Sequence, residues 1–285
     1  MRRLIINADD LGSSPQRSHG IFECVEFGVV TSATIWPNGL DSDAAARHAR
    51  ERGVPVGLHL NLVEEYPLCK REDIATLVDQ NGKFFPVERF FQCLDEGKIA
   101  REHLEREIRA QMEWAFDQGL TLTHIAGNYD IHVHPTVARV LLPLMERSGI
   151  RFVRIPCEEP LPDAKRIQDK LGFEVSEEQL QEIRAVNTMA KNAREIFAAQ
   201  GILSTDHFRG HTLLGNASLK NLRHVLSKLP EGTTELMVHP GSQSSFGTAF
   251  DLDPQRQTEL RMLLDPTIKD LLAARKIELC SYADL

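Results

Sequence analysis

Apolar, β-branched runs alternate with amphipathic segments along the chain, and a glycine stands at five of the changes from helix to strand. These glycines are Gly28, Gly53, Gly119, Gly149 and Gly201, and each is followed by an apolar run. Helices commonly end on a residue in the left-handed conformation, which glycine adopts without steric penalty. We therefore expect each of these glycines to cap a helix, and their recurrence predicts repeated α–β units.

The most regular helical pattern covers residues 99–118. Within it Leu104, Ile108, Met112 and Phe116 recur at every fourth position, while polar residues fill the other faces. A stripe with this period is typical of an amphipathic helix that packs one side against a sheet. We expect this helix to cover the predicted sheet from outside.

Several other elements have clear signals in the sequence. Asp253 and Pro254 supply an acidic N-cap and a proline at the first position of a helix over residues 255–264. Apolar runs predict buried strands at 4–8 and 234–238, and a last strand at 277–280. Strands of this kind joined by helices indicate a mainly parallel sheet.

The alternation predicts an α/β fold, and we expect a single irregular (β/α) TIM-like barrel over residues 1–285. No GxGxxG or Walker sequence follows the first strand, which disfavours an open nucleotide-binding sheet. Polar clusters follow nearly every strand, as they do at the C-terminal mouth of a barrel. Residues at about 64–98 and 160–200 interrupt the pattern and are predicted to be insertions over that mouth.

Composition narrows the class of partner and the compartment. The chain has 285 residues, of which 42% are hydrophobic and 26% charged, so it can bury a large core. A formal net charge of -8 argues against nucleic acid or an anionic membrane as a partner. The five cysteines form no CxxC pair, and no apolar stretch is long enough for a signal-peptide core or a bilayer span. We expect a cytoplasmic protein.

Two short motifs at predicted strand ends carry candidate chemistry. Asp9 and Asp10 end the first apolar run, where one carboxylate could bind a metal while the other reaches a water; an N-cap or Asx-turn for the next helix is the alternative. His59 lies between leucines in a predicted buried strand, where a single histidine is more often a hydrogen-bonded core residue than a ligand.

A third cluster, at residues 123–135, is denser in polar side chains. Five of its six even-numbered positions from His124 to His134 carry histidine, asparagine or aspartate. In an extended segment these side chains would all point to one face. The cluster therefore predicts a ligand-bearing strand, with a solvated edge strand as the alternative.

Single polar residues follow the remaining strands. Arg154, His207, His211 and His239 each come after an apolar run, and each alone is unremarkable. Because a barrel collects the ends of its strands at one mouth, these residues are predicted to converge on one site.

Taken in order, five segments resemble the YdjC/ChbG family of carbohydrate deacetylases, which act on N-acetylated sugars such as chitooligosaccharides. The resemblance spans most of the chain, and the family's irregular (β/α) barrel agrees with the fold expected above. The matching segments lie at residues 7–12, 28–34, 57–60, 123–133 and 235–241.

The resemblance implies a role for each of several residues. Asp10, His59 and Asn128 would be the three protein ligands of a divalent metal ion, either Mg, Zn or Mn. Asp9 would be the catalytic base and His239 the acid, which fits hydrolysis by metal-activated water. Arg154 would orient Asp9 or bind the substrate.

The chain departs from the family's Asp-x-His-x-His-x-His pattern, which falls on Ala126, Asn128, Asp130 and His132. Asn128 can offer only a neutral carbonyl oxygen, and oxygen-rich sites suit Mg, Mn or Ca better than zinc. Asp130 or His132 could replace it as a ligand if the loop is shifted.

Three functions are therefore compared. The first is a metal-dependent hydrolase that removes acetyl groups from N-acetylated sugars or oligosaccharides. The second is a catalytically weakened relative with a carbohydrate-binding or regulatory role, and the third is another metal-dependent hydrolase such as a phosphoesterase. The expected partner is a small N-acetylated carbohydrate, with no nucleic acid or membrane; a homodimer is compatible with the sequence.

Overall fold

The computed structural model describes residues 1–161, 175–244 and 249–285. Seven strands lie within them: β1 Arg2–Leu11, β2 Ser32–Ile35, β3 Val56–Leu60, β4 Leu122–Gly127, β5 His207–Arg209, β6 Gly232–Val238 and β7 Ile277–Leu279. The helices, numbered in chain order, are α1 Pro15–Glu26, α2 Ser42–Arg52, α3 Val87–Asp95, α4 Arg101–Asp117, α5 Pro135–Ser148, α6 Glu177–Ala198, α7 Leu219–Ser227, α8 Ala249–Leu252, α9 Gln255–Leu264 and α10 Pro266–Ala274.

The strands pair in parallel in the order β4-β3-β2-β1-β6-β5. The short strand β7 pairs with the first residues of β1, along the same edge of β1 to which β2 pairs from Asn7 onward. β1 is buried from Leu4 to Leu11 because helices cover one face of the sheet and side chains from neighbouring strands fill the other. All carboxyl ends of these strands therefore lie at one end of the fold.

Isolated bridges continue the sheet beyond β4. Val153 pairs in parallel with Ile125, and Phe152 pairs in parallel with Leu203. Leu203 lies just before β5, which pairs with β6, so the ring of pairings returns to β1. The predicted irregular (β/α) barrel is confirmed, with two of its positions reduced to single bridges.

Four of the five glycines have the predicted left-handed backbone. Gly53, Gly119, Gly149 and Gly201 have φ between 62° and 76° at the ends of helices. The prediction was wrong for Gly28, which does not have positive φ. A Cβ there would lie 2.7 Å from the carbonyl oxygen of Cys24, so close packing of main chain requires this glycine.

The other predicted elements are found with small shifts at their ends. The helix expected at 99–118 is α4, and its stripe is buried apart from Phe116, which is 37% exposed. α9 covers the predicted residues Gln255–Leu264 with Pro254 rather than Asp253 at its N-cap, and the Gln255 amide donates to Asp253 Oδ1 at 2.9 Å. The two predicted insertions contain α3 and α6; residues 162–174 of the second lie outside the described part. Within the described ranges, no helix is long and apolar enough to cross a bilayer.

Gly57 in β3 provides a test of the barrel packing. A Cβ at this position would lie 2.7 Å from the carbonyl oxygen of His124 in β4, a main-chain atom that cannot rotate away. We expect Gly57→Ala to lower the free energy of unfolding by about 3 kcal/mol. A Cβ at Gly149 would have open space around it, so Gly149→Ala should lower the free energy of unfolding by only about 1 kcal/mol. That cost comes from placing alanine in a left-handed backbone conformation. Urea unfolding measures both, and equal losses would contradict this packing.

Candidate active site

A cavity of about 540 Å³ opens at the carboxyl ends of the strands. Asp9, Asp10, His59, Asn128 and His239 line its floor at the ends of β1, β3, β4 and β6. Both predicted insertions contribute walls: Val87, Glu88 and Phe91 come from α3, and Gln179, Glu182, Ile183, Val186 and Met189 come from α6. The structure thus brings together five of the six residues to which the resemblance assigned roles, and His211 joins them in the lining. The prediction that His207 converges on the same site was wrong, because its ring contacts the carbonyl of Glu231 outside the described lining.

Asp9 is the most heavily bonded residue of the floor. Arg154 donates to both of its oxygens, from Nη1 to Oδ2 at 2.5 Å and from Nη2 to Oδ1 at 2.7 Å. Asn7 Nδ2 and Thr34 Oγ1 also donate to Oδ1. Burial alone would raise the pKa of Asp9, but Arg154 and the neighbouring histidines hold it well below its usual range. Asp9 is therefore ionised, and Oδ2 keeps capacity for another hydrogen bond.

Arg154 lies beneath the cavity. Its side chain is fully buried, and besides Asp9 it donates from Nε and Nη2 to Oε1 of Glu235, at 2.9 and 2.7 Å. Glu235 Oε2 accepts a further hydrogen bond from the Tyr282 hydroxyl at 2.6 Å. Arg154 is outside the described cavity lining. Of the two roles that the sequence left open, the geometry favours orientation of Asp9 over contact with substrate.

Thr34 determines which nitrogen of His59 carries a hydrogen. Its hydroxyl has one hydrogen, which it donates to Asp9 at 2.9 Å, because a carboxylate only accepts. The same hydroxyl oxygen lies 3.1 Å from His59 Nδ1 and must therefore accept from it. His59 Nε2 is consequently the nitrogen turned to Asp10, 3.2 Å from Oδ1. In the neutral ring this nitrogen has a free lone pair, as a metal ligand requires.

Asp10 has a left-handed backbone with φ 67°, which is rare for a residue other than glycine. Burial would raise the pKa of Asp10, but the hydrogen bond and charge of His59 lower it overall. Burial likewise opposes charge on His59, yet its contacts with Asp10 and Asp9 raise its pKa above the ordinary value. Asp10 and His59 therefore each favour the charged form of the other.

His239 lies on the other side of Asp9. Its Nε2 is 3.9 Å from Asp9 Oδ2, and its ring packs edge-on against Phe250. Its main-chain amide donates a hydrogen bond to Glu259 Oε2 at 2.5 Å, and Arg17 Nη1 donates to its carbonyl at 2.7 Å. Burial lowers the pKa of His239, so its protonated form is a stronger acid than free histidine.

The expectation of one ligand-bearing face across residues 123–135 was wrong. The strand ends at Gly127, and residues Asn128–Val133 turn as a short 3-10 segment with left-handed Tyr129 and Asp130, φ 49° and 54°. The alternation of faces therefore stops after the first five residues of the cluster. Side chains from the remainder point in several directions.

Three histidines of this segment are outside the described cavity lining. His124 is buried in the barrel and stacks on Tyr282 with ring centroids 3.8 Å apart. His132 Nε2 contacts the carbonyl of Arg154 at 3.0 Å, so His132 is not placed to replace Asn128 as a ligand. His134 caps α5 by accepting from the Thr136 amide.

Asn128 lies at the cavity with a defined amide orientation. Its Nδ2 donates to Glu64 Oε2 at 3.0 Å and to Asn61 Oδ1 at 3.3 Å. Flipping the amide would set its oxygen against these two acceptors. Within the described part of the chain no donor reaches the amide oxygen, which is thus the atom available to a ligand.

Asp130 and His211 form a second acid–imidazole pair in the wall. His211 Nε2 and Asp130 Oδ2 are 2.8 Å apart, and both side chains are about 10% exposed. Burial opposes charge on both, but each holds the other charged: the pKa of His211 is raised and that of Asp130 lowered. The pair joins the turn after β4 to the loop after β5.

The cavity is acidic. Its described lining contains no lysine or arginine, while histidine occurs at positions 59, 211 and 239. Seven carboxylates face it: Asp9, Asp10, Glu64, Glu88, Asp130, Glu182 and Asp251. The field therefore favours a cation or a neutral ligand and opposes an anion.

Comparison with known proteins identifies the family. The family model described as YdjC-like protein matches residues 3–274. The chain belongs to the YdjC-like family. The resemblance seen in the sequence is confirmed.

Curated relatives of this YdjC-like chain extend over its whole length. A carbohydrate deacetylase of Mus musculus is 31% identical over 302 aligned positions, covering 99% of this chain and 94% of the relative. A carbohydrate deacetylase of Geobacillus stearothermophilus is 30% identical and covers 99% of this chain and 98% of its own. The expected enzyme class agrees with the names of these relatives.

A solved structure agrees with the fold. A protein of Enterococcus faecalis V583, described as a cellobiose-phosphate cleavage protein, superposes with a TM-score of 0.77 at 25% identity. The superposition covers 99% of this chain and 98% of that protein. YdjC-like sequence and barrel-like structure therefore coincide over the same residues.

Sequence reasoning missed several residues of this YdjC-like site. Glu235 carried a signal, since it is a carboxylate within an apolar strand, where an unpaired charge is rarely tolerated. Thr34 and Tyr282 carried none, because their roles depend on side chains from distant segments. Glu64 lies at the start of a predicted insertion, where no strand or helix pattern in the sequence indicates which way its side chain points.

His132 gives a pH-dependent prediction. Burial lowers its pKa from 6.5 to about 4, so between these values the unfolded chain binds a proton that the folded chain does not. The free energy of unfolding therefore contains the full contribution of neutral His132 above pH 6.5. It loses this contribution as the pH falls toward 4. Between pH 7 and pH 4.5 the free energy of unfolding should fall in the wild type by about 2 kcal/mol more than in His132→Gln. The glutamine can still donate to the Arg154 carbonyl but does not titrate.

Urea unfolding at the two pH values measures this difference. His48→Gln, at an exposed position, is the matched control and should follow the wild type. Parallel losses in wild type and His132→Gln would show that His132 does not resist protonation in the fold.

Proposed function

We propose that this protein is a metal-dependent carbohydrate deacetylase that hydrolyses the acetamide of an N-acetylated sugar. Family membership and relatives of that name along the whole chain support the proposal. The observation that carries it is the position of Asp9 Oδ2 at the cavity floor, 3.9 Å from both His59 Nδ1 and His239 Nε2. An ionised acceptor between two imidazoles suits a reaction that moves a proton from water to a leaving amine.

In this proposal Asp9 and His239 divide the proton transfers. Asp9 Oδ2 accepts the proton of the attacking water, while Arg154 keeps the carboxylate fixed and charged beforehand. His239, in its protonated form, donates to the amide nitrogen as the carbon–nitrogen bond breaks, because an amine leaves readily only when protonated. The apolar walls from α3 and α6 exclude bulk water from the sugar.

The donor atoms at the floor fit a divalent cation in two respects. Asp10 Oδ1 and His59 Nε2 already converge, and the bond from His59 Nδ1 to Thr34 sets the tautomer that a metal ligand needs. The free amide oxygen of Asn128 is the third donor in our proposal. Among the described residues, no three His, Cys, Asp or Glu side chains are grouped to hold a metal, and the set that we propose therefore includes a neutral amide.

When bound, such a cation would polarise the acetyl carbonyl and lower the pKa of water. The protein supplies its carboxylate, its imidazole and a neutral amide in place of a second imidazole. This oxygen-rich set suits Mg or Mn better than Zn, and we propose that preference for this chain.

The acidic cavity weighs against the phosphoesterase alternative. A phosphate ester needs cationic or amide donors around its oxygens, and the described lining contains no lysine or arginine. An N-acetylated sugar is neutral and its product is a cationic amine, so both are compatible with the seven carboxylates. A carbohydrate-binding relative without turnover is the remaining alternative, favoured only by the replacement of the family histidine with Asn128.

Acetate release tests the proposed function. We expect purified protein with Mn, Mg, Zn, Co or Ni to release acetate from di-N-acetylchitobiose or related sugars. Asp9→Asn, which keeps the shape but not the charge, should lower kcat about 10²-fold or more. Asp117→Asn, an exposed change in the last turn of α4 at the opposite end of the barrel, should match wild type. Sugar binding without acetate release would support the binding role instead.

Calorimetric titration of the metal tests the ligand assignment without turnover. We expect Asp10→Ala to weaken binding of Mn or Mg at least about tenfold, because the only charged ligand is lost. Asp117→Asn should again bind as wild type does. Unchanged affinity in Asp10→Ala would remove Asp10 from the proposed ligands.

A further inference from the structure

We propose that Tyr129 forms a platform for the sugar ring next to the one that loses its acetyl group; this inference rests on the proposed function. Tyr129 lines the cavity while its side chain is 53% exposed. The other aromatic residues in the described lining, Trp36, Phe91 and Phe250, are buried or partly buried. Tyr129 is therefore the ring that a ligand at the mouth can cover.

The backbone holds Tyr129 in an unfavourable conformation. Its φ of 49° and ψ of 29° are left-handed, and Asp130 after it has φ 54°. Each such residue costs about 1 kcal/mol relative to the right-handed form when it is not glycine. An exposed aromatic residue offers no core packing to offset this cost, and strain of this type is concentrated at functional sites.

The hydroxyl of Tyr129 fixes the ring beside the reacting centre. It donates to Glu64 Oε1 at 3.3 Å, and Glu64 Oε2 accepts from Asn128 at 3.0 Å. The Glu64 main chain is held in turn by Asn61, which donates to its carbonyl at 2.6 Å. The ring is thus anchored one residue from Asn128, at the edge of the cavity rather than within it.

The facing walls belong to the insertions and carry apolar side chains among polar ones. Val87 and Phe91 of α3 and Ile183, Val186 and Met189 of α6 line the same cavity. A pyranose ring has apolar C–H faces and a polar rim, so it can pack against aromatic and aliphatic groups while its hydroxyls reach water or carboxylates. The absence of lysine and arginine from the described lining favours a neutral sugar over an anionic one.

A chain-length comparison tests the platform. N-acetylglucosamine, di-N-acetylchitobiose and tri-N-acetylchitotriose are the probes. Tyr129→Asn removes the ring but keeps a residue that tolerates left-handed φ, so the turn should be retained. We expect the ratio of kcat/KM for disaccharide to that for monosaccharide to fall about tenfold in Tyr129→Asn.

Tyr129→Phe is the matched variant, since it keeps the ring and loses only the bond to Glu64. We expect it to retain most of the disaccharide preference. A ratio unchanged in Tyr129→Asn, or one that falls equally in Tyr129→Phe, would overturn the platform. The second result would instead assign the effect to the Glu64 contact.

Binding to an inactive background separates this inference from the proposed function. Calorimetry with di-N-acetylchitobiose compares the sugar affinity of Asp9→Asn with that of the double variant Asp9→Asn, Tyr129→Asn. The difference is the contribution of the Tyr129 ring to binding in the absence of turnover. We expect about tenfold weaker binding in the double variant. If wild type releases no acetate, the proposed function fails, yet this comparison still decides whether the ring binds sugar; equal affinities would overturn the platform in either case.

Discussion

A guanidinium buried between two carboxylates is the constraint on which the site depends. Arg154 bridges Asp9 of β1 and Glu235 of β6 inside the barrel, with no exposure to solvent. Removing charge from water is costly, and only a complete set of partners makes it tolerable. Each strand end must therefore keep its register, because a shift of one residue would leave a charge unpaired. The same bonds that satisfy Arg154 hold Asp9 ionised and aimed between His59 and His239.

The fold separates this rigid floor from variable walls. Floor residues lie in or directly after strands that pair along the barrel, and hydrogen bonds from Thr34, Asn7 and Arg154 leave Asp9 little freedom. The walls come from helices in the two insertions, which contact the cavity with apolar and acidic side chains. The barrel thus supplies the floor of the cavity, while the insertions and the turn after β4 supply its walls.

The sequence predicted the parts of the site that depend on strand ends. Asp9, Asp10, His59 and His239 could be found because a barrel brings the carboxyl ends of its strands together. The contacts of Glu64 and Tyr129 could not be predicted from the sequence. They depend on a left-handed turn at Tyr129 and Asp130, and neither residue type indicates such a turn. The same turn ended the expected alternation, so His132 and His134 lie outside the described lining. His124 precedes the turn and is buried in the barrel against Tyr282. Gly28 shows the converse limit: glycine marked a boundary there, but close packing rather than a left-handed backbone required it.

The central claim is that this floor adds water across an N-acetyl amide. The most direct measurement is the isotopic composition of the acetate formed from di-N-acetylchitobiose in water enriched in the heavy oxygen isotope. The account predicts one heavy oxygen atom in each acetate and one free amine for each acetate released. Asp9 takes a proton from the water whose oxygen attacks the carbonyl carbon, and His239 protonates the nitrogen as the carbon–nitrogen bond breaks. Acetate without the heavy isotope, or no acetate at all from metal-loaded folded protein, would contradict it.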